Sequence, residues 1–172
     1  MSNPDPGEIN KIFLLKNAFF KAMKAGYGSE NPKKTTISKL PGFKCIDFKD
    51  GAIQVVDHYF TTPHSEMSSG MTIINYKSHP VWFCQYGGWY KKDPKVIAFL
   101  KACLMHSYTR MNFTGGRGPE FFCDDENCLA YTNRITKNNF SGFSGEETIH
   151  STSGGEFQGY HWYRGGLVLY NH

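Results

Sequence analysis

Apolar positions along the chain follow a helical repeat in two segments and the spacing of strands elsewhere. Residues 6–25 and 94–108 carry hydrophobic side chains at every third or fourth position, with polar side chains between them. This is the period of an amphipathic helix with one buried face. Each segment also begins at an Asp-Pro pair, which supplies a capping carboxylate and a proline for the first turn. Two helices are therefore predicted.

Short runs rich in β-branched and aromatic residues, separated by turn residues, fill most of the remaining chain. They predict strands near 43–48, 52–60, 67–76 and 80–87 after the first helix, and near 120–123, 128–136, 145–151, 157–163 and 167–170 after the second. The connections are too short for parallel crossovers, so the strands are expected to pair antiparallel. The segment between the first helix and Pro41 is expected to be an exposed loop. These elements indicate an α+β fold.

The two halves of the sequence match each other in order. At an offset of about 76 residues, Asp57 falls on Asn133. Each half closes with an aromatic run that a Gly pair is expected to stop, at Gly87-Gly88 and at Gly165-Gly166. An internal duplication explains this order, and chance self-similarity of an α+β chain is the alternative explanation.

We therefore interpret residues 1–172 as a single domain with internal repeats at about 5–90 and 93–170. Each repeat is expected to be a helix followed by an antiparallel meander. Together they are expected to form one curved sheet or partial barrel with pseudo-twofold symmetry. A cleft between the repeats would be lined by side chains from both.

Charge limits the partners of the chain. The net charge is +4, and residues 1–49 contain nine lysines and four acidic residues, so the N-terminal segment is basic. A face containing Lys33 and Lys34 suits a protein-interaction module with an acidic partner, or is simply solvated. The predicted strands carry few cations, which argues against nucleic-acid binding.

Apolar runs and cysteines bear on location and cofactors. No run is long enough to span a membrane, and the N-terminus lacks a signal-peptide pattern, so a cytoplasmic protein without membrane contact is predicted. The five cysteines are scattered, which favours reduced thiols. Cys103, His106, Cys123 and Cys128 have spacings found in zinc sites, but buried thiols explain the same positions. No metal or cofactor is expected.

Aromatic residues, 16% of the chain, are the most informative feature for function. Trp82 and Tyr86 in the first half correspond to Tyr160 and Trp162 in the second. Alternate strand positions point to opposite faces, so one set packs in the core and the other is free to form an apolar wall with a few polar groups. Such a wall indicates a pocket for a small aromatic or polar molecule, and core packing alone is the alternative.

Two carboxyl groups interrupt apolar strands. Asp57 and Glu147 must each be hydrogen-bonded or lie in a pocket, because burying an unpaired carboxylate costs several kcal/mol. If they approach each other in the cleft, they suit general acid–base hydrolysis. A Cys84 thiol activated by a nearby histidine is a second hydrolase hypothesis.

Several segments resemble a bacterial family of domains of unknown function, and the likeness extends over most of the chain. The segments are Asp57-His58-Tyr59, Pro80-Val81-Trp82, Arg117-Gly118-Pro119, 143–149 and Tyr163-Arg164-Gly165-Gly166. Members of that family occur alone or fused behind an Xre-type helix-turn-helix, which implies an accessory or sensing role. The family's Phe-x-Gly-x-Glu pattern ends at Glu147 in the second half, whereas Thr72 stands at that place in the first.

The sequence therefore predicts a non-enzymatic domain that binds or senses a small molecule in the cleft between its halves. The residues predicted to bind the ligand are Asp57, Tyr59, Trp82, Tyr86, Arg117, Glu147, Tyr160 and Trp162. A cofactor-free hydrolase using Asp57 and Glu147, and a protein-interaction module, are the alternatives.

Overall fold

The computed structural model describes residues 6–28 and 34–168, with the side chains of all of these except residues 6–9. Within these ranges the chain forms two helices and nine strands. Helix α1 spans Pro6–Tyr27 and helix α2 spans Pro94–Thr109. The strands are β1 (Thr35–Thr36), β2 (Phe43–Asp50), β3 (Ile53–Thr61), β4 (Met67–Tyr76), β5 (His79–Tyr90), β6 (Phe121–Asp124), β7 (Leu129–Asn139), β8 (Gly142–Ser151) and β9 (Phe157–Leu167).

All of these strands belong to one antiparallel sheet with the order β1-β2-β3-β4-β5-β9-β8-β7-β6. The predicted α+β class and the antiparallel pairing are confirmed. The sheet is open, with β1 and β6 at its edges, so it does not close into a barrel. Neither α1 nor α2 combines the length and the apolarity that crossing a membrane requires.

Strands β5 and β9 join the two halves of the chain at the middle of the sheet. They pair antiparallel with Tyr86 opposite Tyr163, so a helix and its meander lie on each side of this seam. Residues from both halves therefore surround the centre of the molecule. The origin of the halves by duplication stays a prediction.

The Gly pairs lie inside strands, and the prediction that they stop the aromatic runs was wrong. β5 continues through Gly88, and β9 runs through Gly165 as one strand where two were expected. A Cβ atom on Gly88 would lie 2.0 Å from the Tyr160 carbonyl oxygen, and one on Gly165 would lie 2.1 Å from the Phe83 carbonyl oxygen. These glycines let β5 and β9 approach closely. The end of the last predicted strand, residues 169–170, lies outside the described residues.

Helix α1 continues two residues beyond its predicted end, to Tyr27, because Gly26 does not terminate it. A Cβ atom on Gly26 would lie 2.4 Å from the Ile46 side chain, so glycine is needed there for the helix to pack on β2. The loop that follows contains β1, a short strand that the sequence did not predict and that pairs with β2. The predicted cap Asp5 and the basic residue Lys33 lie outside the described residues.

Both helices cover the same face of the sheet. The strand registers place Val55, Ile74 and Trp82 in one row of that face, where they join α1 in the larger hydrophobic cluster. A smaller cluster joins α2 to β7 and β8. The helices leave the opposite face uncovered, and Trp162 on that face is 41% exposed.

Replacing Gly145 by alanine should destabilise the fold. A Cβ atom there would lie 2.3 Å from the Tyr163 hydroxyl oxygen and 2.7 Å from the Arg134 carbonyl oxygen, so the ring or the strand must move. We expect Gly145→Ala to lower the free energy of unfolding by about 1–3 kcal/mol in chemical denaturation. Gly154→Ala is the control, because no atom of the described residues, apart from its chain neighbours, lies within 4 Å of a Cβ atom at that position. Equal effects of the two substitutions would contradict this packing.

Candidate functional site

A pocket of about 280 Å³ opens between the two helices and the centre of the sheet. Four tyrosines form much of its wall: Tyr27, Tyr59, Tyr86 and Tyr90. Helix α2 adds an apolar side: Ile97, Leu100 and Leu104. The tyrosines belong to the first half of the chain and the α2 residues to the second, so both halves line the pocket.

Asp57 is buried beneath two of these tyrosines, and three hydroxyl groups satisfy its carboxyl oxygens. Tyr27, Tyr86 and Thr72 each donate a hydrogen bond of 2.8 Å to it. Burial raises the pKa of Tyr27 and of Tyr86 well above the ordinary value, so both phenols keep the proton that they donate. Among the described residues, Asp57 has no Lys, Arg or His within ion-pair distance.

Glu147 on β8 has no exposed surface and is held differently. Arg117, from the loop after α2, donates to its Oε1 through Nε at 3.0 Å and also through Nη2. The hydroxyl groups of Tyr90 and Tyr131 donate to the same carboxylate. Burial raises the pKa of Glu147 and the adjacent Arg117 charge lowers it, with a net decrease, so the group is ionised at neutral pH.

Arg117 and Tyr86 connect the surroundings of the two carboxyl groups. The guanidinium carbon of Arg117 lies 5.1 Å from the centre of the Tyr86 ring, whose hydroxyl donates to Asp57. Burial lowers the pKa of Arg117 and the Glu147 charge raises it, with a net increase, so the guanidinium stays charged. A continuous polar network therefore crosses the centre of the sheet from β3 to β8.

His161 on β9 lines the pocket beside this network. Its Nε2 lies 3.0 Å from the Ser68 hydroxyl oxygen, while its buried Nδ1 has no hydrogen-bond partner in the part of the chain that the structure describes. Burial and the nearby Arg117 charge lower the pKa of His161 to about 3, so the ring is neutral at pH 7. A neutral imidazole has one donor and one acceptor nitrogen, so Nδ1 has an unused hydrogen-bonding capacity in either tautomer.

Three lysines stand at the edge of the pocket. Lys34 donates to the Tyr59 hydroxyl at 2.8 Å and lies over the rings of Tyr27 and Tyr59. Lys44 from β2 and Lys101 from α2 are exposed and complete the group. The side chain of Lys34, expected on an interaction face, is thus directed into the pocket.

The structure brings part of the predicted ligand-binding set together. Tyr59, Tyr86 and Arg117 line the pocket. Asp57 and Glu147 lie behind that wall, hydrogen-bonded to Tyr86 and Arg117 respectively. Their direct contact with a ligand stays a prediction.

Three of the predicted residues lie elsewhere. Trp82 has no exposed surface, stacks on Phe140 and donates through Nε1 to the Phe140 carbonyl oxygen at 2.8 Å. Tyr160 and Trp162 flank His161 on β9, so the alternation of the strand turns both to the opposite face of the sheet.

The predicted ligand-binding set lacks several residues of the pocket, among them Tyr27, Lys44, Tyr90 and Lys101. Tyr90 is four positions after Tyr86 on β5 and shares its face, a signal that the wrongly placed strand end concealed. Lys101 is four positions after Ile97, the spacing of neighbours on one helix face. No local sequence pattern marks Tyr27 or Lys44 as a pocket residue, because their places in the pocket wall depend on how α1 packs against β2.

The geometry does not favour either cysteine hypothesis, the Cys84 nucleophile or the zinc site. Burial raises the pKa of Cys84 to about 12, so its thiol is protonated at neutral pH and is a weak nucleophile. Cys103 is buried, whereas Cys123 and Cys128 are exposed. No three metal-ligating side chains converge within the described ranges.

Removing the Glu147 charge should destabilise the protein strongly. Glu147→Gln leaves Arg117 buried without its carboxylate, and we expect a loss of about 3–5 kcal/mol in the free energy of unfolding by urea at pH 7. Glu146→Gln is the matched control, because that partly exposed neighbour makes a contact of 3.4 Å with Arg134 and accepts a hydrogen bond of 3.2 Å from the Tyr160 hydroxyl, but holds no buried charge. Its loss should stay below about 1 kcal/mol. Similar losses for both variants would contradict a structural role for the buried pair.

His161 should make the fold sensitive to mild acid. Between pH 6.5 and about 3 the unfolded chain binds a proton at His161 that the folded chain excludes, so stability falls as the pH drops through that window. We expect His161→Asn to flatten the stability profile between pH 6.5 and 5 by up to about 1 kcal/mol per pH unit. His64→Asn, at an exposed turn, is the control. An unchanged profile in His161→Asn would show that the ring binds its proton equally well in the folded and the unfolded chain, contrary to its burial.

Comparison with known proteins identifies the family of the chain. Residues 57–168 match the model of a domain of unknown function, DUF5680. No curated protein and no solved structure matches the chain. The matched segment contains Arg117, Glu147 and His161, while α1 precedes it. The resemblance to a family of domains of unknown function is confirmed at that level, and its company with Xre-type regulators stays a prediction. Because the match covers well over half of the 172 residues, the chain belongs to the DUF5680 family.

Proposed function

We propose that this domain binds a small molecule in the pocket between its two halves and does not catalyse a reaction on it. The observation that carries the proposal is that Nδ1 of His161, a side chain only 3% exposed in the pocket wall, has no hydrogen-bond partner among the described residues. A buried polar group without a partner costs about 1–3 kcal/mol. A ligand that hydrogen-bonds to Nδ1 removes that cost, so ligand binding gives this atom a role.

The carboxyl groups favour binding over hydrolysis. A general acid or base must reach the substrate and change its protonation state. Glu147 is fully buried and its lowered pKa keeps it ionised, with Arg117 held against it. Asp57 is 1% exposed and accepts three hydrogen bonds from hydroxyl groups. Both groups are thus engaged in holding the pocket wall, which supports a structural role.

The position of the pocket also fits a domain of two related halves. In each half a strand tyrosine stands over a glycine of the next strand and donates to a polar side chain one strand further: Tyr86, Gly70 and Asp57 in the first, and Tyr163, Gly145 and Asn133 in the second. This correspondence supports the inferred duplication and a pseudo-twofold axis at the β5–β9 seam. A pocket beside such a seam resembles the inter-domain sites that many ligands use.

A sensing role follows from binding without catalysis. The resemblance to domains fused behind Xre-type regulators points in the same direction, since such regulators act on a signal in the cytoplasm. We interpret the domain as the part of such a system that recognises a small molecule.

Three compact aromatic probes of different charge test the binding function: benzoate, benzamide and benzylamine. At a concentration ten times its dissociation constant, a bound probe should raise the melting temperature by about 3–6 °C. Leu100→Trp, which fills the pocket from α2, should abolish that rise. Leu40→Trp is the control, because Leu40 is 43% exposed and does not line the pocket.

Native mass spectrometry of the purified protein complements the titration, because a tightly held molecule adds mass that is lost on denaturation. The proposal is overturned if no probe gives a saturable rise and no small molecule copurifies. It is also overturned if Leu100→Trp binds the probes as the unmodified protein does.

A further inference from the structure

We infer that the ligand is an organic anion, a carboxylate or phosphate ester on a compact aromatic body, whose charged end lies among Lys34, Lys44 and Lys101. This inference rests on the binding function proposed above and adds the chemical class of the ligand. It follows from the charge, the shape and the existing contacts of the pocket wall.

The charged side chains of the pocket lining are all cations in the part of the chain that the structure describes. Lys34, Lys44, Lys101 and Arg117 all line the pocket, and none of the residues that the structure describes in its lining is Asp or Glu. Three of these cations stand on the outer side, because Lys44 and Lys101 are exposed and Lys34 is half-buried. A rim of one sign over a low-dielectric cavity concentrates ligands of the opposite charge.

The three rim lysines have no carboxylate partner within ion-pair distance in the described ranges. Lys34 donates to the Tyr59 hydroxyl, and Lys44 lies 6.0 Å from the centre of the same ring. Lys101 makes no hydrogen bond or ion pair to the described residues. The ammonium groups are therefore free to bind anionic oxygens, for which charge-assisted hydrogen bonds are the strongest available contacts.

Arg117 is not available in the same way. Its Nε and Nη2 both donate to Glu147, which neutralises the guanidinium at the inner end of the pocket. The inner end is therefore close to neutral, and His161 there is an uncharged ring. This difference between the rim and the interior orients an anion with its charge outward and its body inward.

The inner wall suits a flat apolar body. Leu100 and Ile97 form one side, and the rings of Tyr86 and Tyr90 form the other. The volume of about 280 Å³ has room for an aromatic ring with one carboxylate or phosphate group.

Isothermal titration at low ionic strength tests the charge preference with benzoate, its neutral isostere benzamide, and phenyl phosphate. We expect at least one of the two anions to bind about tenfold more tightly than benzamide, as three screened lysine contacts together allow. That preference should shrink at 1 M salt, where the screening length falls to about 3 Å. A larger gain for phenyl phosphate assigns the phosphate class, and a larger gain for benzoate assigns the carboxylate class.

The double variant Lys44→Gln/Lys101→Gln should reduce the preference for the anions to within about twofold, because both free charges are removed. Lys95→Gln is the matched control: Lys95 is an exposed lysine of α2 that does not line the pocket. Binding of benzamide reports on the integrity of the pocket in every variant.

The outcomes distinguish a failure of the anion inference from a failure of the proposed binding function. If benzamide binds as tightly as the anions, or if the double variant keeps the preference, the anion inference is overturned while the binding function stands. If neither an anion nor benzamide nor benzylamine binds and no molecule copurifies, both fail.

Discussion

The burial of two carboxyl groups under the helices determines the layout at the centre of this domain. An unpaired carboxylate there would cost several kcal/mol, so each needs donors from the surrounding elements. Asp57 obtains them from neutral hydroxyl groups, and Glu147 from Arg117 together with Tyr90 and Tyr131. These donors have to turn inward, which fixes the tyrosine rings as walls. A ligand therefore has the space between those rings to occupy. It can bond only to the polar atoms that neither carboxyl group uses.

The strand registers keep the two acidic side chains apart. In the first half Asp57 on β3 stands opposite Thr72 on β4, whereas in the second half Asn133 on β7 stands opposite Glu147 on β8. Each pair thus contains one acidic and one neutral partner, and the acidic residue lies on the earlier strand of the first pair and on the later strand of the second. Two carboxylates side by side in this interior would repel each other and share one proton. The guanidinium of Arg117 balances the charge of Glu147, while hydroxyl donors alone satisfy Asp57.

Sequence periodicity predicted both helices and most of the strands, because apolar spacing reflects the local geometry of helices and strands. The errors fall at residues whose role depends on contact with a residue far away in the sequence. Gly88 and Gly165 looked like strand ends, but they accommodate backbone of the strand across the seam. The site was recovered only in part for the same reason. Tyr86 and Arg117 reach the pocket wall, whereas Trp82 is sealed off by Phe140, a contact across 58 positions of the chain. The pairing of His161 with Glu147 determines which alternate positions of β9 face the helices. No local sequence pattern reveals that pairing.

The seam between β5 and β9 also constrains how the chain is assembled. β5 ends at Tyr90, but the strand that pairs with its second edge begins at Phe157, after α2 and three further strands. Until that last strand is made, β5 presents a row of unpaired backbone groups beside an aromatic surface, the kind of edge on which chains aggregate. Contacts of such long sequence separation also form slowly. The interior is therefore complete only after β9 has been synthesised and has paired with β5. A chain truncated before β9 would expose the unpaired edge of β5 to aggregation.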